Sequence, residues 1–197
     1  DSERYGVRTE GVSLDMDLVM AHKENTVEQL VSGVEKLVKG NNIDVINGRA
    51  QILSAGQVEV TVADGAKEVL DTKNIVIATG SSPFNLPFMV GQTISSDEIL
   101  DLDYVPERLA IIGGGVIGVE FASIFAAFGS EVTIIELLPT ILPNMDKEIS
   151  QRLSLILKKR GISINTSTQV SEVRAEGNEK VIIASGKDGA KKEFRAD

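Results

Sequence analysis

The run Leu109-Ala110-Ile111-Ile112-Gly113-Gly114-Gly115-Val116-Ile117-Gly118-Val119-Glu120 sets spaced glycines between an apolar strand-like stretch and a helix-like one. Few local structures accept that pattern. It suits a strand that turns tightly at Gly113, opens its backbone to a ligand at Gly115 and lets the next helix lie against it at Gly118. Ile124, Phe125 and Phe128 continue at helical spacing, Gly129 is placed to end the helix as a left-handed cap, and Glu131-Val132-Thr133-Ile134-Ile135-Glu136 is a β-branched second strand. The unit closes on Glu136, about 18 residues beyond Gly118, near the interval that sets a carboxylate against a ribose. The pattern therefore predicts a dinucleotide pocket, with pyrophosphate on the free N–H groups and positive dipole end of the helix amino terminus. A carboxylate at Glu136 accepts hydrogen bonds from both ribose hydroxyls and repels a 2′-phosphate. No Arg or Lys follows it before Lys147, so NAD is predicted over NADP. The alternative, a glycine-rich turn that binds nothing, requires strand, glycines, helix, strand and acid to coincide by chance.

Elsewhere, Val27, Leu30, Val31, Val34, Leu37 and Val38 mark one face of an amphipathic helix ended by Gly40, predicted to be core. Short strand-like pieces follow at Ile43–Ile46, Gln57–Val62 and Asn74–Ala78, separated by the turn dipeptides Asn47-Gly48 and Asp64-Gly65. These predict a small antiparallel meander followed by a buried strand. Breakers from Ser81 to Pro87 place a domain boundary near Gly80. Beyond Glu136, Asp146 is placed to cap a helix carrying Ile149, Leu153, Ile156 and Leu157 on one face, closed by Lys158-Lys159-Arg160 and Gly161. A third strand at Ile162–Ile164 completes a βαβαβ unit. Pieces at Gln169–Val173, Val181–Ala184 and Glu193–Arg195 predict a second meander.

Composition excludes several functions. A formal net charge of −9 with scattered basic residues argues against nucleic acid as a partner. With no apolar run near about 18 residues, no membrane span is predicted. Cysteine is absent, so disulfide staples, thiolate metal sites and a cysteine nucleophile are excluded within this stretch. No metal site is predicted. The only histidine, His22, lies far from any motif and reads as a solvated residue. Tyr104 is followed four places on by Arg108, so the Tyr-x-x-x-Lys pair of a short-chain dehydrogenase is missing, and Gly186-Lys187-Asp188 lacks the hydroxyl of a P-loop.

Ile75-Val76-Ile77-Ala78-Thr79-Gly80-Ser81, a linker, and then the glycine unit ending in Glu136 form an order seen in two-dinucleotide flavoproteins. With the Val27–Val38 helix, Asn47-Gly48, Asp71-Thr72-Lys73-Asn74, Ser95-Ser96 and Pro106, the chain resembles the FAD-dependent pyridine nucleotide-disulfide oxidoreductases, most nearly their dihydrolipoamide dehydrogenase branch. The resemblance implies an α/β fold: a Rossmann-like NAD-binding domain over residues 82–197, with a parallel sheet, helices and an antiparallel β-meander, lacking its last strand. Part of an FAD-binding domain, residues 1–81, would precede it. It implies that Ile112, Gly113, Gly114, Gly115, Val116, Ile117, Gly118, Glu120 and Glu136 hold NAD, with Val170 on its adenine and Glu120 near the nicotinamide–flavin contact. Glu120 has a plainer alternative as a partner of the helix dipole. Gly48, Thr79, Gly80 and Ser81 would touch the adenosine side of FAD.

The family's first glycine loop, its Cys-x4-Cys pair and its late His-Glu pair do not occur here. With an opening Asp1 in place of Met, this predicts an internal fragment, without catalytic residues and inactive alone, of a protein in which a dithiol reduces the cysteines and hydride passes through the flavin to NAD. Implied partners are dihydrolipoamide on a carrier domain of 2-oxo acid dehydrogenase or glycine cleavage complexes and a second copy in a homodimer, in a bacterial cytoplasm or mitochondrial matrix. Another disulfide or mercuric reductase of the family, or a non-catalytic NAD-binding module, are the alternatives.

Overall fold

A computed structural model describes residues 6, 11–84 and 86–197; residue 85, inside the predicted Ser81–Pro87 link, falls outside the described residues. The chain divides into two units, Ala21–Ser82 and Pro83–Asp197 with the segment ending at Met20. Most of α1 (Met16–Gly40) belongs to the first. Three strands follow it: β1 (Arg49–Ser54), β2 (Gln57–Thr61) and β3 (Lys67–Asp71), an antiparallel meander in sequence order. Ala55-Gly56 turns the first hairpin. Asp64-Gly65 turns the second, where Gly65 takes φ 85° and the Asp64 carboxylate accepts the Ala66 N–H at 2.9 Å.

Three predictions for this unit are corrected. The apolar stripe of α1 is not core: no residue of the helix is buried, and Leu30 and Leu37 stay 66% and 68% exposed. Helical spacing shows which face is apolar, but burial needs a second apolar layer. The three strands supply none, since Val60 is the unit's only buried hydrophobic side chain among the described residues. Ile43–Ile46 and Asn74–Ala78 form no strands, and Val76 and Ile77 lie open to solvent. A β-branched run becomes a strand only beside a partner that completes its ladder. Strands form instead at β1 and β3, where the turn dipeptides hold partners in register, and Asn47-Gly48 lies at the entry to β1, not in a hairpin turn.

The second unit opens with a 3-10 turn at Pro87–Met89 and α2 (Ser96–Ile99), the latter fixed by a capping box between Ser95 and Glu98. The βαβαβ run follows as β4 (Arg108–Ile112), α3 (Val116–Phe128), β5 (Glu131–Ile135), α4 (Lys147–Lys159) and β6 (Ser163–Asn165), a parallel sheet of order β4-β5-β6. Gly129 ends α3 at φ 110°, and Asp146 caps α4 by accepting the Glu148 and Ile149 N–H groups. The second meander is β7 (Gln169–Glu176), β8 (Glu179–Ser185) and β9 (Lys191–Ala196). The βαβαβ run and the second meander lie where the sequence predicts them, within a few residues at the ends, whereas the 3-10 turn and α2 had no counterpart among the predicted elements.

Strand alternation explains the layering. In β5, Val132 and Ile134 face a helix-side core with Val119, Ala122, Phe125, Leu157 and Ile162, whereas Ile135 faces a meander-side core with Val170, Val173, Ile182 and Ala184. The parallel sheet is thus the middle of three layers. Phe125 is buried and meets Phe128 edge-on at 5.9 Å, while Ile124, equally apolar, stays 43% exposed. In α4 Leu157 is the only fully buried apolar side chain, and Ile149 and Ile156 remain about half exposed. Leu157→Ala is expected to lower unfolding stability by about 2–5 kcal/mol, read from a urea titration; Ile156→Ala is expected to cost far less.

Candidate functional site

The glycine loop joins β4 to α3 at the carboxyl end of the parallel sheet, where ligands of such sheets bind. Gly113 takes φ 114°, a backbone conformation that side chains disfavour, and its N–H donates to Ile135 O at 2.9 Å. Gly118 is required by close approach: a Cβ there would lie 2.3 Å from Gly113 O and 3.1 Å from the Ile111 side chain. A Cβ on Gly115 would meet nothing within 4 Å. That open space lies where α3 begins, because Gly115 is its N-cap and gives no side-chain cap to the first turn. The first N–H groups of a helix have no partner inside it, so this terminus can receive an anion.

Glu136 closes the loop from the end of β5. Glu136 is 7% exposed, and its carboxylate accepts two backbone N–H groups, Gly114 at 2.5 Å and Leu138 at 2.6 Å. Ile112, Gly113, Gly114, Gly115, Val116, Ile117, Gly118 and Glu136 therefore form one constellation. Val116 and Ile117 present exposed apolar side chains beside it. Glu120 is exposed on α3, and Val170 is packed into the meander-side core with 8% of its surface open. Gly48, Thr79, Gly80 and Ser81 belong to the other unit. There Gly48 answers to packing, since its Cβ would lie 2.6 Å from Thr61 O, and Thr79, Gly80 and Ser81 are exposed with Gly80 at φ 74°. His22 is exposed.

The sequence did not point to the segment that backs the loop. Leu142 N–H donates to Gly114 O at 2.8 Å, and Ile141 Cγ2 would lie 2.8 Å from a Gly114 Cβ. Leu142 takes φ 49°, and its carbonyl accepts the buried Ser150 hydroxyl. Apolar periodicity carries no signal for such irregular backbone.

An ion network ties the meander to β4. Arg108 pairs with Glu179 at 2.8 Å and Asp197 at 2.6 Å, and Arg195 pairs with Glu179, Glu193 and Glu176. Hydrogen bonds from Arg108, then Arg195, hold the Glu179 carboxyl below the usual carboxylate range; Arg108 does the same for Asp197. Both guanidinium groups are pushed up in turn, Arg108 chiefly by Glu179 and then Asp197. Carboxyls depressed in the folded state give stability that is full above their ordinary range and is lost as pH falls through the lowered one. Acid titration of the fold is expected to show a loss below about pH 4 that Arg108→Ala flattens.

Parallel strands, helix, glycine turn and terminal acid place the chain among Rossmann-like α/β proteins. It belongs to the pyridine nucleotide-disulphide oxidoreductase family, whose sequence model it matches over residues 3–197. Members are flavoprotein oxidoreductases, and membership implies FAD and NAD or NADP. The chain is 43% identical to the dihydrolipoyl dehydrogenase of Acholeplasma laidlawii, over 86% of itself and 51% of that protein. It is 36% identical to that of Bacillus subtilis, over 100% of itself and 44% of the relative. The solved HOCl-induced flavoprotein disulfide reductase RclA from Escherichia coli superposes with a TM-score of 0.78 at 28% identity, covering 93% of this chain and 41% of that one. The chain thus spans about half the length of these relatives. Among the described residues, no helix is long and apolar enough to cross a membrane, and no cluster of His, Asp and Glu is poised to hold a metal.

Proposed function

We propose that the Pro83–Asp197 unit holds NAD at the glycine loop and that the whole protein is a dihydrolipoyl dehydrogenase, passing hydride from FAD to NAD after a dithiol is oxidised. The observation that carries this reading is the open space over Gly115 at an uncapped helix terminus, with the Glu136 carboxylate at its rim. The site fits a pyrophosphate. The N–H groups of Val116 and Ile117 would meet the phosphates, Glu136 would take the ribose hydroxyls through its remaining lone pairs, and Val170 would offer its open edge to the adenine. The flavin and nicotinamide supply the redox chemistry when bound, and the protein supplies position. Glu120, exposed on α3 two residues past Gly118, would flank the nicotinamide end. Gly48 and the Thr79-Gly80-Ser81 turn would contact FAD through backbone groups, although the described residues of that unit hold no glycine turn at a helix amino terminus to seat its pyrophosphate.

On this reading the dithiol is lipoamide on a carrier domain, the working assembly a homodimer, and the setting a bacterial cytoplasm or mitochondrial matrix; the relatives' names support a dihydrolipoyl substrate, and the Dictyostelium discoideum relative is mitochondrial. Likeness to RclA favours a second reading, a disulfide reductase using the same nucleotide site. Reversing the assay discriminates: the first reading requires the full-length protein to make NADH from dihydrolipoamide, the second to consume it against another disulfide. The 197-residue chain, having no cysteine, is expected to show no turnover with dihydrolipoamide and to lose FAD on gel filtration. A chain that stays yellow, or one that turns over, contradicts the account.

A further inference from the structure

The geometry points to a second role for Glu136: its carboxylate braces the glycine loop, so the side chain that selects the nucleotide also holds the pyrophosphate seat in shape. One oxygen accepts Gly114 N–H and the other Leu138 N–H, which ties the loop to the segment leaving β5. Gly114 is gripped on its other side as well, by Leu142 N–H on its carbonyl, and is itself buried. The brace has a firm footing. Glu136 N–H donates to Asn165 O at 2.8 Å, and its carbonyl accepts Thr168 N–H at 2.9 Å, so the backbone beneath the carboxylate is pinned to β6 and its exit. The fit is also close, with a Gly114 Cβ only 3.2 Å from the Glu136 side chain.

Truncating Glu136 would leave two N–H groups without their acceptor, one of them in a buried peptide, and a loop deprived of that acceptor relaxes. Exchanging the acid to admit a 2′-phosphate would therefore loosen the phosphate seat as it removes the repulsion. Glu136 is a positioning residue for the loop in addition to its proposed contact with ribose. The ligand part of this inference rests on the NAD reading above; the bracing part does not.

The test uses the 197-residue chain, wild type, Glu136→Ala and Glu136→Gln. Amide hydrogen exchange is followed at Gly114 and Leu138, and calorimetry is done with ADP and with 2′,3′-dideoxy-ADP, which keeps the phosphates but lacks both ribose hydroxyls. Bracing predicts that Glu136→Ala speeds exchange at both amides by about tenfold or more while amides of β8 keep their rates. Glu136→Gln, with one carbonyl oxygen in place of two acceptors, is expected to protect only one of the two. Glu136→Ala is also expected to weaken dideoxy-ADP by about tenfold, although that ligand makes no ribose contact. Unchanged exchange at both amides with unchanged dideoxy-ADP affinity would overturn the brace and leave Glu136 a ribose contact alone. If the wild type binds neither nucleotide, the NAD reading fails and exchange still decides the brace. If Glu136→Ala does not fold, the one-sided protection expected of Glu136→Gln decides it.

Discussion

NADH is expected to bind the chain about a hundredfold more tightly than NADPH. A carboxylate hydrogen-bonded to ribose hydroxyls gains about 1.5–3 kcal/mol per charge-assisted bond, and each 1.4 kcal/mol is a factor of ten. A 2′-phosphate removes at least one of those bonds and sets like charge against an acid that has little room to withdraw. Glu136 is 7% exposed and already held by Gly114 and Leu138, so swinging it aside would break two hydrogen bonds as well. No cation stands nearby in sequence to neutralise the phosphate, since Lys147 is the first after Glu136. Calorimetric titration with the two nucleotides measures the ratio, and equal affinities would end the NAD assignment.

The second large effect is expected at Gly118. Replacing glycine by alanine inside a helix ordinarily stabilises by about 0.5–1 kcal/mol, because alanine loses less backbone freedom on folding. Gly33, in the exposed α1 with nothing within 4 Å of its would-be Cβ, is expected to follow that rule. Gly118 is expected to reverse it. Its Cβ would lie 2.3 Å from a backbone oxygen of Gly113, which no rotamer change can relieve. Gly118→Ala should therefore destabilise by about 1–3 kcal/mol, the range for forced overpacking, and Gly118→Val by more. Nucleotide binding should fall as well, since the displaced atom belongs to the loop. Denaturant titration of Gly33→Ala and Gly118→Ala side by side reads the contrast; a stabilised Gly118→Ala would remove close approach as the reason for glycine there.

The second unit was legible in the sequence because its local signals and its tertiary partners agree. Gly129, Asp146 and Gly161 mark helix ends through their own backbone chemistry, and the β5 alternation matches two layers that the chain itself provides. The first unit was less legible for the opposite reason. Val27, Leu30, Val31, Val34 and Leu37 announce an apolar face, and Ile75-Val76-Ile77 announces a strand, but the described residues offer neither a layer to cover the one nor a neighbour to pair with the other. Within the site, residues whose type is diagnostic could be found: glycines at a strand–helix junction and an acid at a strand end. Leu138, Ile141 and Leu142 could not, because they act through backbone groups and through a left-handed turn that any sequence-pattern argument passes over.

Strand β5 links matters that are usually considered separately. Successive residues Ile134 and Ile135 serve opposite cores, and the next residue is the acid. A slip of one residue in this strand would exchange the two cores' side chains and move the acid off the loop at once. Point substitution at Glu136 thus disturbs the loop alone, whereas insertion or deletion anywhere in 131–136 disturbs the loop and both cores together. Variation in length among descendants of this chain should be confined to the turns around the meander, such as Gly177-Asn178 and Gly186–Gly189, which touch neither the loop nor the acid.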